Sequence, residues 1–149
     1  MGNYQRAYTI LEVLLVILLI AVWVGVTLPR FGGGGILNKY RLRTTVYNIG
    51  SDMRSVRMQA INNAGTGKYS IRFDSAPNDY HIISPGGPIL ETKEIPTGVG
   101  WTGTNQYNFY ALGNADWSGT GAITFTIASG EKWTIAVSGP TGTVRIQKP

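Results

Sequence analysis

The chain has no cysteine and only one histidine. The first absence excludes disulfides, cysteine-ligated metals and a thiol nucleophile, and leaves cysteine usage silent on the compartment. The second leaves little material for acid–base chemistry. His81 stands between Tyr80 and Ile82 in a strand-like run, where a lone histidine reads as structural. Charge is scarce as well: Asp, Glu, Lys and Arg make up 14% of the residues against 43% hydrophobic, a balance opposite to that of disordered chains. No serine stands in a nucleophile-elbow sequence, and the glycine clusters lack the Lys-Ser/Thr ending of a phosphate loop. Asp74 with Asp79, and Asn114 with Asp116, offer oxygen donors. Two donors per loop are too few for calcium, and turn chemistry accounts for them. No catalytic residue, cofactor or metal ligand set is expected.

The net charge of +5 suggests nucleic acid until its distribution is followed. Arg6, Arg30, Lys39, Arg41, Arg43, Arg54 and Arg57 face only Glu12 and Asp52 in the first part of the chain. From Lys68 onward six bases meet six acids. The excess therefore belongs to the amino-terminal half, and the carboxyl-terminal half is neutral.

Between Arg6 and Arg30 the one charge is Glu12, and residues 13–28 are almost wholly apolar. A run of that length suits a membrane span of about 20 residues. No Ala-x-Ala pattern follows it, so removal of the whole run as a secretory signal is not expected. An acid inside such a helix costs free energy and calls for a partner.

In order, Ala7, Tyr8, Thr9, Ile10-Leu11, Glu12, the apolar run and Pro29 resemble the amino terminus of type IV pilins and of the pseudopilins of type II secretion. That family has a short basic leader, a small residue before the cleaved bond, an aromatic residue, Thr, two aliphatics, Glu, a long apolar helix and a Pro near its far end. This chain departs from the common pattern with Ala7 for Gly, Tyr8 for Phe, and Ile-Leu for Leu-Ile. The resemblance implies a leader at 1–7, cut between Ala7 and Tyr8 by a prepilin peptidase that also N-methylates Tyr8. It implies a single-pass precursor in the inner membrane, in contact with lipid, with the carboxyl-terminal domain outside the cytoplasm. It further implies assembly with other pilin or pseudopilin subunits into a filament. Glu12 lies four residues from Tyr8 and would pair with its new amine, within one chain or between neighbours. A low-dielectric surrounding strengthens such a pair. The lysine and arginine count alone, with Arg30, Lys39, Arg41 and Arg43 after the span, favours a cytoplasmic carboxyl end; the family resemblance implies the reverse.

Pro29 and the run Gly32, Gly33, Gly34 and Gly35 predict a bend or a loss of helicity. Pro removes a backbone bond, and each glycine costs about 1 kcal/mol relative to alanine in a helix. This joint reads either as a hinge or as a plain linker. The helical period then resumes over 36–63, with Leu42, Val46, Ile49, Met53, Val56 and Ala60 on one stripe and Gly65 as the stop. Arg41, Arg43, Arg54 and Arg57 fall off that stripe, either solvated or set to meet acids on neighbouring stems. Over 67–149 seven strands are predicted, at 68–74, 79–84, 89–94, 106–111, 122–128, 131–138 and 143–147, with a compact turn at Ser129-Gly130.

The expected architecture is α+β: a hydrophobic transmembrane or assembly helix at 8–31, a glycine hinge at 32–35, and a globular domain at 36–149. In that domain the stem helix packs on an antiparallel sheet or sandwich of about seven strands. The carboxyl-terminal half is similar to one branch of the family, the minor pseudopilin H and the related minor pilin T, in MQAINNAGTGKYSIRFD, AITFTIASGEKWTIAVS and GTVRIQ. The resemblance implies a structural subunit rather than an enzyme, and leaves secretion, pilus and competence machines open. Some minor pilins of the T type bind DNA through a Gly-Arg-x-Arg segment on the last strand. Here Gly142-Thr143-Val144-Arg145, with Lys148 beyond, lacks the first arginine. DNA therefore stands as the alternative partner, not the expected one.

Overall fold

The computed structural model describes residues 9–31, 35–65 and 67–149, and the chain divides into two units, Met1–Gly34 and Gly35–Pro149. In the first unit a single helix, α1, spans Ile10–Phe31. Its start is chemically marked. The Glu12 amide donates to the Thr9 carbonyl at 3.0 Å and approaches Thr9 Oγ1 at 3.3 Å. Thr9-Ile10-Leu11-Glu12 is the sequence of a capping box, with threonine at the cap and glutamate three residues on.

The expectation of a membrane-crossing helix is corrected here. Among the described residues no helix is long and apolar enough to cross a membrane. The described side chains that follow Glu12, 13–26, carry no charge. Those side chains are exposed, as are Ile10, Leu11 and Glu12. The helix does not stop at Pro29 but continues to Phe31. Close to a carboxyl-terminal end, a proline forgoes one backbone bond and leaves the rest of the ladder intact. Gly35, assigned above to the hinge, opens the next helix instead. First-turn residues have no intrahelical acceptor for their amides, so little is lost by a glycine there. Gly32, Gly33 and Gly34, and the processing residues Ala7 and Tyr8, lie outside the described residues.

The second unit begins with α2, Gly35–Asn62. Its stripe of Leu42, Val46, Ile49, Met53, Val56 and Ala60 is fully buried, as the period requires. The helix stops at Asn62, and Gly65 follows with φ +103°, a left-handed conformation that suits glycine.

Among the described residues nine strands follow rather than about seven, and they form two antiparallel sheets. They are β1 (Tyr69–Ser75), β2 (Asn78–Ile83), β3 (Ile89–Glu94), β4 (Val99–Gly103), β5 (Gln106–Phe109), β6 (Ala115–Trp117), β7 (Ala122–Ile127), β8 (Lys132–Val137) and β9 (Val144–Gln147). One sheet has the order β3-β2-β1-β5-β6 and the other β4-β7-β8-β9. The two added strands, β4 and β6, carry weak local signals. β4 is VGWTG, with two glycines that lower strand propensity. β6 has three residues inside a polar stretch that reads as a loop. Both are made by their partners: Trp101 pairs in register with Phe125, and Asp116 with Asn108.

The helix α2 packs against β1 and β5 of the first sheet and against β4, β7, β8 and β9 of the second. Its stripe thus closes one core shared by both sheets. Phe73 on β1 anchors the junction, with ring centroids 5.7 Å from Trp101 and 6.2 Å from Phe125 on the other sheet. Burial alternates along β7, where Ile123, Phe125 and Ile127 point inward and the Thr124 hydroxyl meets Thr134 at 3.0 Å.

Candidate functional site

The feature that sets this chain apart from an ordinary small domain is α1. Ile10, Leu11 and Trp23 are 82%, 76% and 76% exposed. An apolar surface running the length of a helix marks a place where another molecule belongs. Glu12 is the single acid among these side chains, in the first helical turn. There the positive end of the helix dipole favours a carboxylate, and the capping-box position adds to that preference. The sequence argument gave Glu12 one role, that of pairing with the Tyr8 amine. The structure adds a bond at the helix start, where the Thr9 hydroxyl accepts from the Glu12 amide, and the Thr-x-x-Glu spacing matches a second, capping role for the acid. The spacing Thr-x-x-Glu carries that signal in the sequence.

Of the basic residues of α2, Arg41, Arg43 and Arg54 are exposed, as a solvated face requires, and two of the arginines also bond to other elements. Arg57 is half-buried, and its Nε–H donates to the Gly113 carbonyl at 2.9 Å. Arg54 donates from Nη2 to the Val144 carbonyl at 3.3 Å. The Arg43 guanidinium lies 5.7 Å from the Tyr47 ring centroid. Arg54 and Arg57 tie the helix to a strand and a loop far along the chain, whereas the Arg43 contact lies within α2. Gly142 completes the Arg57 arrangement, because a Cβ there would overlap the Gly113 carbonyl oxygen.

Asp52 forms a second tie. It accepts from the Tyr80 hydroxyl at 2.6 Å and from both Lys93 Nζ contacts at 3.0 Å, linking α2 to β2 and β3. Burial pushes the Tyr80 phenol far above its usual range, and the bond to Asp52 adds to the effect. The same carboxylate raises the Lys93 ammonium by its hydrogen bond. The three side chains line a cleft of about 520 Å³ with Thr45, Asn48 and Pro96. Asp52, Tyr80 and Lys93 are partners of one another within the fold, so the cleft reads as a seam between helix and sheet.

Of the two bases considered for DNA, Lys148 is engaged within the chain. Its Nζ lies 3.1 Å from Glu131 Oε1 and 5.8 Å from the Trp133 ring centroid. The hydrogen bond from Lys148 holds the Glu131 carboxyl below its ordinary range. Arg145 is exposed on β9, so one arginine remains of the motif. A single base is a weak handle for a phosphate backbone.

His81, which the sequence reading kept apart from the Asp74 and Asp79 pair, joins both carboxylates on one face of the first sheet. His81 Nε2 lies 3.1 Å from Asp74 Oδ2 and 3.5 Å from Asp79 Oδ1, and its Nδ1 is 2.8 Å from Thr92 Oγ1. The signal was present: a tight turn between β1 and β2 sets Asp74 opposite Asp79 and Arg72 opposite His81. Reading it required the register, which the strand propensities alone do not supply.

No protein-family model, curated protein or solved structure matches this chain.

Proposed function

We propose that this chain is a structural subunit of a type IV pilin-like filament, a minor pilin or pseudopilin serving secretion or pilus assembly. The observation that carries the reading is α1, a helix whose described side chains are apolar and exposed apart from the acid in its first turn. Packing such helices side by side in a filament core buries that surface at roughly 25 cal/mol per Å². The same packing lowers the dielectric around Glu12, which then needs a cation. The resemblance supplies one, the amine created on Tyr8 by cleavage after Ala7. The partners are other subunits of this kind and the peptidase that processes them. The Lys148–Glu131 pair favours this structural role over DNA binding, since it occupies one of the two bases that a DNA-binding tail would use.

The test is co-assembly. Glu12→Ala should leave the folded second unit unchanged and abolish recovery of the subunit with its partners in sheared filaments. Thr9→Ala removes the cap but keeps the acid, and should assemble far better. Equal defects in the two variants would reduce Glu12 to a capping residue. Mass spectrometry of assembled material should find an amino terminus at methylated Tyr8, and an intact Met1 would overturn the reading.

A further inference from the structure

The hairpin of β1 and β2 brings three donor atoms to one point, on the sheet face opposite the Asp52 seam. Side chains alternate between the faces of a sheet. Asp74, Asp79, His81 and Thr92 therefore share the face opposite to Tyr80 and Lys93, which point to α2. The carboxylate oxygens of Asp74 and Asp79 and an imidazole nitrogen of His81 all lie within 4.8 Å of one another.

The polar accounting of this cluster does not close within the protein. The His81 Nε2 position is 3.1 Å from Asp74 Oδ2, so one N–H there serves Asp74. Asp79 Oδ1 is then left without a hydrogen-bond partner, on a residue only 5% exposed. It points into the cluster, 3.5 Å from the same nitrogen. A buried acceptor without a donor is costly, and more so when charged. Carboxylates are acceptors only. What satisfies all three atoms at once is a cation larger in charge than one shared proton.

We propose that Asp74, Asp79 and His81 form a binding site for a divalent transition-metal ion of the zinc type. The spacing suits it: a tetrahedral ion with bonds of about 2.0–2.1 Å holds its donors about 3.3 Å apart, and the two nitrogen–oxygen separations are 3.1 and 3.5 Å. The surroundings suit it also. Thr92 Oγ1 lies 2.8 Å from His81 Nδ1 and can accept an N–H there once a metal takes Nε2, which orients the ring for ligation. Arg72 donates to Asp74 Oδ2 from Nε at 3.3 Å and Nη2 at 3.2 Å, orienting that carboxylate as ligating carboxylates commonly are. One imidazole with two carboxylates leaves the fourth tetrahedral position to water. Calcium is a poor fit, because it takes six to eight oxygens at longer distances. Binding at Nε2 displaces whatever proton that nitrogen carries. The ion would cross-link β1 to β2 one pair away from the turn of the hairpin.

Because His81 is the single histidine, its nuclear magnetic resonance signals can be assigned without ambiguity. Zinc chloride titrated into the full chain near neutral pH should bind one ion per chain and shift the His81 Nε2 resonance, with Nδ1 remaining protonated. His81→Gln and Asp79→Asn should each weaken binding by at least about tenfold, and Thr92→Val by a similar factor through the lost orienting bond. Circular dichroism confirms that each variant is folded, and His81→Gln, at a half-buried position, serves if Asp79→Asn is not. Zinc should also raise the unfolding temperature of the parent chain and not that of His81→Gln. No zinc binding by the parent, affinity unchanged in His81→Gln, or metal on Nδ1 would each overturn the proposal. So would calcium or magnesium binding the parent more tightly than zinc.

Discussion

Removing the Asp52 carboxylate tests how α2 is held to the first sheet. In Asp52→Ala the Tyr80 hydroxyl, on a residue 3% exposed, loses the acceptor it meets at 2.6 Å. A buried donor left without a partner costs about 1–3 kcal/mol. Lys93 loses a carboxylate at 3.0 Å, but its side chain is 35% exposed, so that part is screened to about 0–1 kcal/mol. The single variant should therefore lose about 2–3 kcal/mol in urea unfolding, with the m-value unchanged. Tyr80→Phe removes the donor and leaves Asp52 with Lys93, and should cost about 1 kcal/mol. With both replaced there is no orphaned group, so the double variant should be more stable than the sum by about 1–2 kcal/mol. Strictly additive costs would refute the assignment of the seam to this hydrogen bond.

The same seam has a pH signature. The Tyr80 and Lys93 pKa values are both raised in the folded state. Above about pH 10 the unfolded chain releases these protons while the folded chain keeps them. The folded state then binds more protons, so stability falls as pH rises, by up to about 1.4 kcal/mol per pH unit for each group. Tyr80→Phe should remove its share of this alkaline loss, and an unchanged profile would contradict the burial of an un-ionised phenol at this position.

Two other variants address the core and the arginine ties. Arg57→Met keeps much of the stem of the side chain but loses the donor to Gly113, and should cost about 1.5–3 kcal/mol in the same unfolding assay. Amide exchange at Gly142, whose N–H donates to Ser138 at 2.6 Å beside Arg57, should quicken with it. Phe125→Ala, at a fully buried position touching Phe73, should cost about 3–5 kcal/mol, whereas Phe125→Leu should be clearly milder. A loss below 1 kcal/mol for the alanine variant would mean that the two sheets do not share this core.

The stem stripe and the hairpin at Ser129-Gly130 were legible because their signals are local. Apolar residues at spacings of three and four define one helix face, and the φ of +84° at Gly130 matches a turn that glycine allows. The start of α1 was legible in principle too, in Thr9-x-x-Glu12. β4 and β6 were not legible, because glycine-rich and three-residue segments become strands only when β7 and β5 offer their edges.

What the sequence determined by itself, then, is composition and period: an apolar amino-terminal helix with one acid, an amphipathic stem, and a strand-rich half. Tertiary structure decided which charges meet. Asp52 finds Tyr80 and Lys93 at separations of 28 and 41 residues, and Arg57 finds Gly113 at 56. His81 finds Asp74 because a turn sets the register of two strands, and Thr92 because a third strand pairs alongside. Propensity is a property of neighbours along the chain, whereas hydrogen bonds and ion pairs at these distances are set by how the elements stack and align.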